Sequence, residues 1–502
     1  MNNVINPTSP VHTFRHKSCL FILFLSVLAI QACAKYTYND VPINNTNISN
    51  EINSWSINDS GLNHFLITNG LAAESLMSNL FSIKRLYLTG LYYDPEMQVA
   101  YRKWKQAKIA LDHNDYSINP KISSPLEHHS DNTDTSNLWS IGAVISFIYE
   151  RKGKREARKA KAEVDLLNAT LKIKQLALNR YGLFEERYHA YVIKQAEIIE
   201  IRNEISVLKE LLAQLQNQYQ LGAVSHFELN NTKLELQQGV FQLSIEENNV
   251  LKLTDELLAM TQLIYSDLEN IEILSTSPRL FENTEYQASE YFTADFSDLQ
   301  KIMLDSHIDM AIKLNHYALA EADLKLLIEK QYPDIVLSPG FIFDQSDNVW
   351  SLGSSWVLPL FEKTQQNLNI LTALEERRIK QQEITVLQKE LLNALYKSHH
   401  SISRHKEAIK ISDEIVRSIE DRMEEIETQI DMGGVDQTAL LRNRIELYKA
   451  RQEQMHIYKE AINAILEFEH LLHSTHSNVN INDVITKWLE QIEERLNDEL
   501  VN

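Results

Sequence analysis

Glycine and proline are scarce in this chain: 12 Gly and 10 Pro among 502 residues leave few places where a helix can be broken or a tight turn set. Long uninterrupted elements are the consequence. Cysteine is nearly absent, Cys19 and Cys33 being the only two, and Cys19 lies in an N-terminal segment that reads as removable. A mature chain would keep one thiol, so no intramolecular disulfide can staple the fold. Surplus positive charge is lacking as well. The net charge is −20, whereas neutralising phosphates needs excess Lys and Arg, which argues against nucleic acid as a partner. No Gly-rich phosphate loop and no nucleophile elbow occurs, and the many Glu residues stand at charge-paired helical spacings. The expectation is a protein that is not an enzyme and uses no cofactor.

The N-terminus carries an address. Arg15, His16 and Lys17 precede an apolar run from Leu20 to Ile30, too short to span a bilayer and the right length for the core of a secretory signal, here 1–32. The run ends in Ile30-Gln31-Ala32-Cys33, which resembles the lipobox of bacterial lipoproteins. On that reading Cys33 is the lipid attachment site, 33–60 is an anchor and linker, and Ala34 in place of Asp implies outer-membrane sorting. Ala32-Cys33-Ala34 also fits the small-x-small pattern of ordinary cleavage after Ala34. The intact mass of the mature protein separates the two.

The rest of the chain is a tandem duplication. Trp139-Ser140-Ile141-Gly142 recurs as Trp350-Ser351-Leu352-Gly353, and Leu221-Gly222-Ala223-Val224-Ser225 recurs as Met432-Gly433-Gly434-Val435-Asp436, both at an offset of 211 residues. Two matches in one register mean that the length between the marks is fixed. A straight helix fixes length, because one inserted residue rotates every later side chain by about 100°. The intervening segments do read as helix: 151–220 contains only Gly153 and Gly182 as breakers, and 363–432 has neither Gly nor Pro. Roughly 70 residues make a rod of about 105 Å, which needs neighbours along its length for stability. Gly222 and Gly433 suit helix ends, Ser225 with Glu228 forms a capping-box pattern, and Asp436 is the equivalent N-cap. Helices then return over about Phe227 to Tyr265 and Gln437 to His473.

A strand pair precedes each rod. In the second half, Asp334 to Asp344, a polar turn Gln345-Ser346-Asp347-Asn348, and a strand with Trp350, Leu352, Trp356, Leu358 and Leu360 on one face come after Tyr332-Pro333. Pro339 weakens the first of these strands. In the first half, Trp139, Ile141, Ala143, Ile145, Phe147 and Tyr149 alternate with Ser140, Gly142 and Ser146. The partner strand near Ser117 to Ser123 is poorly marked, and Ser124 to Asn137 reads as a polar loop. An apolar face tipped with aromatics opposite a small polar face suits a lipid-facing barrel with a wet lumen; a half-buried soluble sheet shows the same alternation, and the signal segment before the strands with the long helices after them favours the barrel. Four strands cannot close a barrel, and an open edge in lipid is prohibitively costly, so a barrel would need several copies. A shorter helix opens each half, with Asp94-Pro95-Glu96 leading into Met97 to Asp112 and Asp309-Met310 leading to Ile328.

These residues resemble the TolC-like outer-membrane factor family of tripartite efflux pumps and type I secretion systems over roughly Leu88 to His473. The resemblance rests on Tyr332-Pro333-Asp334, on Trp350-Ser351-Leu352-Gly353 running to Leu358-Pro359-Leu360-Phe361, and on the two Gly-centred turns before Leu-rich helices. Cys33 resembles the lipoprotein branch. The resemblance implies a mainly α fold with a small β part, in which tandem helical hairpins form an α-barrel. It implies a homotrimer whose four transmembrane strands per protomer close a twelve-stranded β-barrel, with Trp139, Ile141, Ile145, Phe147, Trp350, Leu352, Trp356 and Leu358 facing lipid. The repeats are then 61–285, with strand pair 117–149 and hairpin 151–265, and 286–475, with strand pair 334–360 and hairpin 363–473. A tail helix occupies 476–502.

The implied function is a passive exit duct in the bacterial outer membrane, with most of its mass in the periplasm. Its implied partners are a periplasmic adaptor (membrane fusion) protein and an inner-membrane pump. Leu221, Gly222, Ala223, Val224 and Ser225, with Met432, Gly433, Gly434, Val435 and Asp436, would be the adaptor-contacting tips, although simple hairpin closure accounts for the glycines too. Carboxylates common after the second tip in this family are replaced by Ala439 and Arg442, leaving Asp431, Asp436 and Arg442 as candidates for the entrance constriction. Three copies of Arg442 near an axis would favour anions. Alternatively, Arg442 pairs with Glu446 at i+4 on a solvated face. His128-His129 and His399-His400 read as surface residues, not metal ligands. The basic cluster Lys152, Lys154, Arg155, Arg158 and Lys159 reads either as contacting lipid headgroups or as a solvated helix start. The rival class is a secreted periplasmic coiled-coil scaffold without a pore.

Overall fold

The computed structural model describes residues 44–114, 118–130, 139–150, 152–275, 295–344, 347–356, 363–473 and 480–501. The signal segment 1–32, Cys33 and Leu358 lie outside the described residues. The chain divides into two units, 1–54 and 55–502. In the first, the described residues form one helix, Asn45–Asn53.

The second unit opens with α1 (Ser60–Thr68), β1 (Leu80–Phe81), α2 (Ile83–Tyr93) and α3 (Pro95–Asp112). Asp94 starts α3 by accepting the Glu96 N–H at 2.8 Å, with Pro95 at the first helical position where no N–H is needed. Then come β2 (Lys121–Ser123), β3 (Leu126–His128) and β4 (Trp139–Tyr149). The first hairpin comes next as α4 (Lys152–Gln220) and α5 (His226–Ala259). After β5 (Glu272–Ile273), the second half runs through α6 (Phe296–Ser306), α7 (Ile308–Glu329), β6 (Ile335–Asp344) and β7 (Asp347–Trp356). It continues into the second hairpin, α8 (Lys363–Asp431) and α9 (Gln437–Leu472), and ends in α10 (Ile481–Val501). The two rods, α4 and α8, are each 69 residues long, the fixed length that the repeat register requires. Gly182 does not interrupt α4; a Cβ there would stand 3.2 Å from the His470 ring of α9.

The long helices of this unit lie side by side as one layer. Near the hairpin ends its order is α5, α4, α9, α8, and toward the sheet it is α3, α4, α7, α8. The first rod therefore packs on two helices of the second half, and the repeats do not separate into compact units of their own. The principal core lies around the middle of α4. Phe65, Tyr87, Tyr93, Tyr101, Tyr181, Phe184 and Trp488 are almost wholly buried there. Tyr87 meets Tyr181 edge-on at 5.0 Å, and α10 turns Trp488 onto Tyr101 while Gln491 donates to the Gly61 carbonyl at 2.6 Å. A smaller cluster, Leu208, Leu211 and Leu215 with Leu441 and Ile445, joins the two hairpins farther along.

Four details differ from the sequence reading. Three residues of the expected polar loop form β3, held on β4 by pairing Leu126 with Ile141 and His128 with Trp139. Pro339 sits within β6 and pairs with Leu352 of β7, while the β4–β6 ladder omits Ser338 and Pro339, as a residue without an N–H demands on that side. Helix α5 ends at Ala259 rather than Tyr265, because Gln262 takes a left-handed φ of 61° and turns the chain toward β5. Asp347 and Asn348, expected in the turn, instead pair in β7 with Asp344 and Phe343, while Gln345 and Ser346 lie outside the described residues.

Candidate functional site

The sheet is four positions wide, ordered β2-β4-β6-β7, with β3 sharing the first position by also pairing β4. Its register puts Trp139, Ile141, Ile145 and Phe147 of β4 on one face with Ile335, Leu337 and Phe341 of β6 and Trp350, Leu352 and Trp356 of β7. Ile122 and Leu126 extend this face onto β2 and β3, a continuation that strands of three residues are too short to signal by alternation. The face is solvent-exposed in the isolated chain, with Trp350 80% and Leu352 76% accessible. A contiguous apolar surface of this extent marks a contact with lipid or protein.

The opposite face carries Ser140, Gly142, Ser146, Ser338, Gly340, Ser351, Gly353 and Ser355. It is crowded. A Cβ at Gly142 would lie 2.7 Å from Ile342 and 2.9 Å from the Phe341 carbonyl, and one at Gly340 would lie 2.7 Å from Ser351 Oγ. Small residues are what the inside of a curving sheet accommodates. At one end of this face Ser140 Oγ donates to Asp344 and lies 2.9 Å from His129 Nε2. The same Nε2 faces Asp344 at 3.4 Å, so no imidazole bridges the hydroxyl and the carboxylate as nucleophilic catalysis requires.

The far end of the helical layer holds the two hairpin tips, which share one geometry. Gly222 (φ 73°) donates to Tyr219 O at 2.9 Å and Ala223 to Gln218 O at 2.8 Å. Gly433 (φ 74°) donates to Ile430 O at 2.9 Å and Gly434 to Gln429 O at 2.8 Å. Both are Schellman ends, in which a left-handed glycine lets the last carbonyls find partners. The next helices are capped in turn, by Ser225 Oγ accepting Glu228 N–H at 3.2 Å and by Asp436 accepting Thr438 N–H at 3.1 Å. Hydrogen bonds, that from Thr438 foremost, hold the Asp436 carboxyl below its usual range. Leu221 and Met432 project from the tips, both at least 80% exposed, while Val224 packs inward against the apolar cluster that joins the two hairpins.

Arg442 does not pair with Glu446. Its guanidinium donates to Glu228 on the other hairpin, and Glu446 is taken by Arg422. Gln218 Nε2 also donates to Asp436 Oδ2 at 3.0 Å, so two bonds tie the first tip to the second. Glu228 had a local explanation as a capping residue, and its partner 214 positions away was invisible in the sequence. Asp431 closes α8 as an exposed residue.

The basic cluster is engaged in ion pairs: Lys154 reaches Asp334 at 2.8 Å, Arg158 reaches Glu150, and Lys159 lies 3.9 Å from Glu163. Lys154 and Arg158 thus anchor the start of α4 to the ends of β4 and β6. His128 lies in β3 with its ring 4.6 Å from Trp139, not in a loop. His399 and His400 point to different neighbours, Phe296 and Tyr396 respectively. Among the described residues no three His, Cys, Asp or Glu are grouped to hold a metal ion. Nor is any described helix long and apolar enough to cross a membrane.

This arrangement recurs in solved structures. The Campylobacter jejuni CmeC outer membrane channel aligns over 91% of this chain and 99% of its own, at 13% identity and a TM-score of 0.57. The Vibrio cholerae outer membrane protein VceC aligns over 79% and 97%, at 14% identity and a TM-score of 0.60. The open state of the Neisseria gonorrhoeae MtrE outer membrane channel aligns over 78% and 89%, at 11% identity and a TM-score of 0.56. The fold is that of the TolC-like outer-membrane channels. No protein-family profile matches the sequence. No curated protein matches it either. At such low identity the shared length, nearly the whole of each TolC-like chain, is what carries the likeness.

Proposed function

We propose that this chain is one protomer of a homotrimeric outer-membrane exit duct that passes solutes delivered by an inner-membrane pump through a periplasmic adaptor, and that it catalyses no reaction. The observation that carries the reading is incompleteness. The sheet has two open edges, β2 with β3 on one side and β7 on the other, and one broad apolar face. Unpaired strand edges are tolerated in lipid only when a barrel closes, and three four-position sheets make twelve strands. The helical layer has open edges too. Val99 of α3 and Leu234, Phe241 and Leu251 of α5 are exposed along one, and Leu371, Ile379 and Val386 of α8 along the other. A rod of about 105 Å with an apolar flank needs a neighbouring rod, and a second copy supplies it.

In this reading Trp139, Ile141, Ile145, Phe147, Trp350, Leu352, Trp356 and Leu358 face lipid, Leu221 to Ser225 and Met432 to Asp436 meet the adaptor, and Cys33 carries a lipid anchor. The entrance is held by the Arg442–Glu228 and Gln218–Asp436 bonds. Because Arg442 is neutralised within its own protomer, the closed entrance has no ring of free guanidinium charge, and anion preference is not expected there. Planar-bilayer conductance of the purified protein, with heat-modifiable migration of the trimer on gels, tests the proposal. A water-soluble monomer that forms no conducting pore would refute it and leave the pore-free scaffold.

A further inference from the structure

Helix α9 ends beside the start of α7, and two histidines occupy the joint. His307 is the N-cap of α7, and its Nδ1 accepts the Asp309 N–H at 3.2 Å. His473, immediately after α9, adopts a left-handed φ of 49°, and its Nδ1 accepts the Ile308 N–H at 2.9 Å. The rings lie 4.1 Å apart, tilted by 32°, and His307 is buried. Ser306 Oγ, at the end of α6, lies 2.9 Å from the Leu472 carbonyl and 2.8 Å from the Ile302 carbonyl of its own helix, so its one proton is shared between them. The two N–H groups belong to the four that a helix start leaves without intrahelical partners. An imidazole accepts through Nδ1 only while that nitrogen carries no proton.

We propose that the His307–His473 pair is an acid-operated clasp that pins the end of α9 to the start of α7 while both rings are neutral and lets go when they take up protons. Protonation would turn each acceptor into a donor facing a donor, place positive charge against the positive end of α7, and set two cations 4.1 Å apart. The surroundings reinforce this. On α9, His470 lies 6.0 Å from His473, and the neighbouring Glu469 is buried. On α4, Glu185 faces Glu469, and Gln175 donates to Asp309. On α8, the His399 ring lies 6.5 Å from Phe468, tilted by 49°. Asp309 of α7, with its carboxylate 4.0 Å from His307, favours that ring's charged form, a backbone hydrogen bond at Ser306 favours the charged form of His473, and burial outweighs both.

Burial, followed by the neighbouring His307 and His470, pushes His473 down to about 3, and burial also lowers His307 and His470. The released rings return to about 6.5. The clasp is therefore at full strength above about pH 6.5 and weakens as pH falls below it. For His473 alone the ratio of released to clasped joint rises roughly 25-fold between pH 7 and pH 5.

The clasp lies within one protomer and does not depend on pore formation. Hydrogen exchange of the purified full-length protein at pH 7 and pH 5, corrected for the intrinsic rate at each pH, reads it in peptides covering 306–311 and 470–473. The comparison is with a His307→Asn, His473→Asn chain, whose amide oxygens still accept and whose Asn tolerates the left-handed conformation. The wild-type peptides are expected to lose protection at least tenfold at pH 5, while the α4–α9 seam around 208–215 keeps its own and the double variant is flat. Equal protection at both pH values overturns the clasp. So does the same loss throughout the chain, or the same loss in a folded double variant. Should the double variant not fold, the wild-type comparison between joint and seam still decides.

Discussion

Removing both bonds between the tips, with Arg442→Ala and Gln218→Ala in one chain, is expected to raise the ratio of open to closed channels about 100-fold. Arg442 and Glu228 are each close to half exposed, which places their pair among surface ion pairs worth ~0.2–1 kcal/mol. The Gln218–Asp436 bond, at 3.0 Å and also exposed, belongs in the same range. Taking ~0.5 kcal/mol for each bond and, in the proposed trimer, three protomers opening together gives ~3 kcal/mol, and 1.4 kcal/mol is tenfold. Single-channel recording at fixed voltage reads the change directly. A charge swap, Glu228→Arg with Arg442→Glu, is expected to keep the closed state, and raising the salt concentration to weaken it in the wild type and the swapped chain but not in the double alanine variant. If open probability in the double alanine variant stays within threefold of wild type, the two bonds do not hold the entrance.

Other outcomes rest on the same structure. Gly340→Val places a branched side chain where Ser351 Oγ already stands 2.7 Å from a Cβ, so heat-modifiable trimers are expected to disappear from gels while helix content by circular dichroism persists. Trp488→Ala empties a fully buried site against Tyr101 and is expected to cost ~3–5 kcal/mol, read as a lower urea midpoint at constant slope. Burial raises Glu469 to about 9 and Glu185 to about 7, with Glu185 adding to the rise at Glu469. Both carboxyls are thus still protonated in the folded chain at pH values where the unfolded chain has lost those protons. Stability falls as pH climbs above about 4.5, and Glu469→Gln is expected to raise Tm at pH 8 and leave it nearly unchanged at pH 4. An unchanged Tm at pH 8 would contradict that account.

Much of the architecture was legible in the residues themselves. The 211-residue offset and the absence of breakers fixed two rods of equal length, because a helix tolerates no insertion without rotating every later side chain. The tip glycines, the caps at Asp94, Ser225 and Asp436, and the alternation from Trp139 to Tyr149 were visible because caps and strand periodicity are local properties. The segment at 126–128 escaped notice, since three residues cannot display a period and only pairing with β4 makes them a strand. The docking of α10 was equally hidden. An amphipathic tail declares that it has a partner without saying which, and Trp488 finds Tyr101 nearly 400 residues away.

The sequence alone determined the two long rods, the strand pairs before them and the capped glycine tips, all set by interactions within a few residues. Only the tertiary structure decided which distant side chains meet. Arg442 chose Glu228 over the Glu446 one turn along its own helix, because a neighbouring hairpin brought that carboxylate within reach. His307 and His473 became one unit because α7 starts where α9 ends. Contacts of that kind depend on how rigid elements pack, and residue spacing along the chain does not encode them.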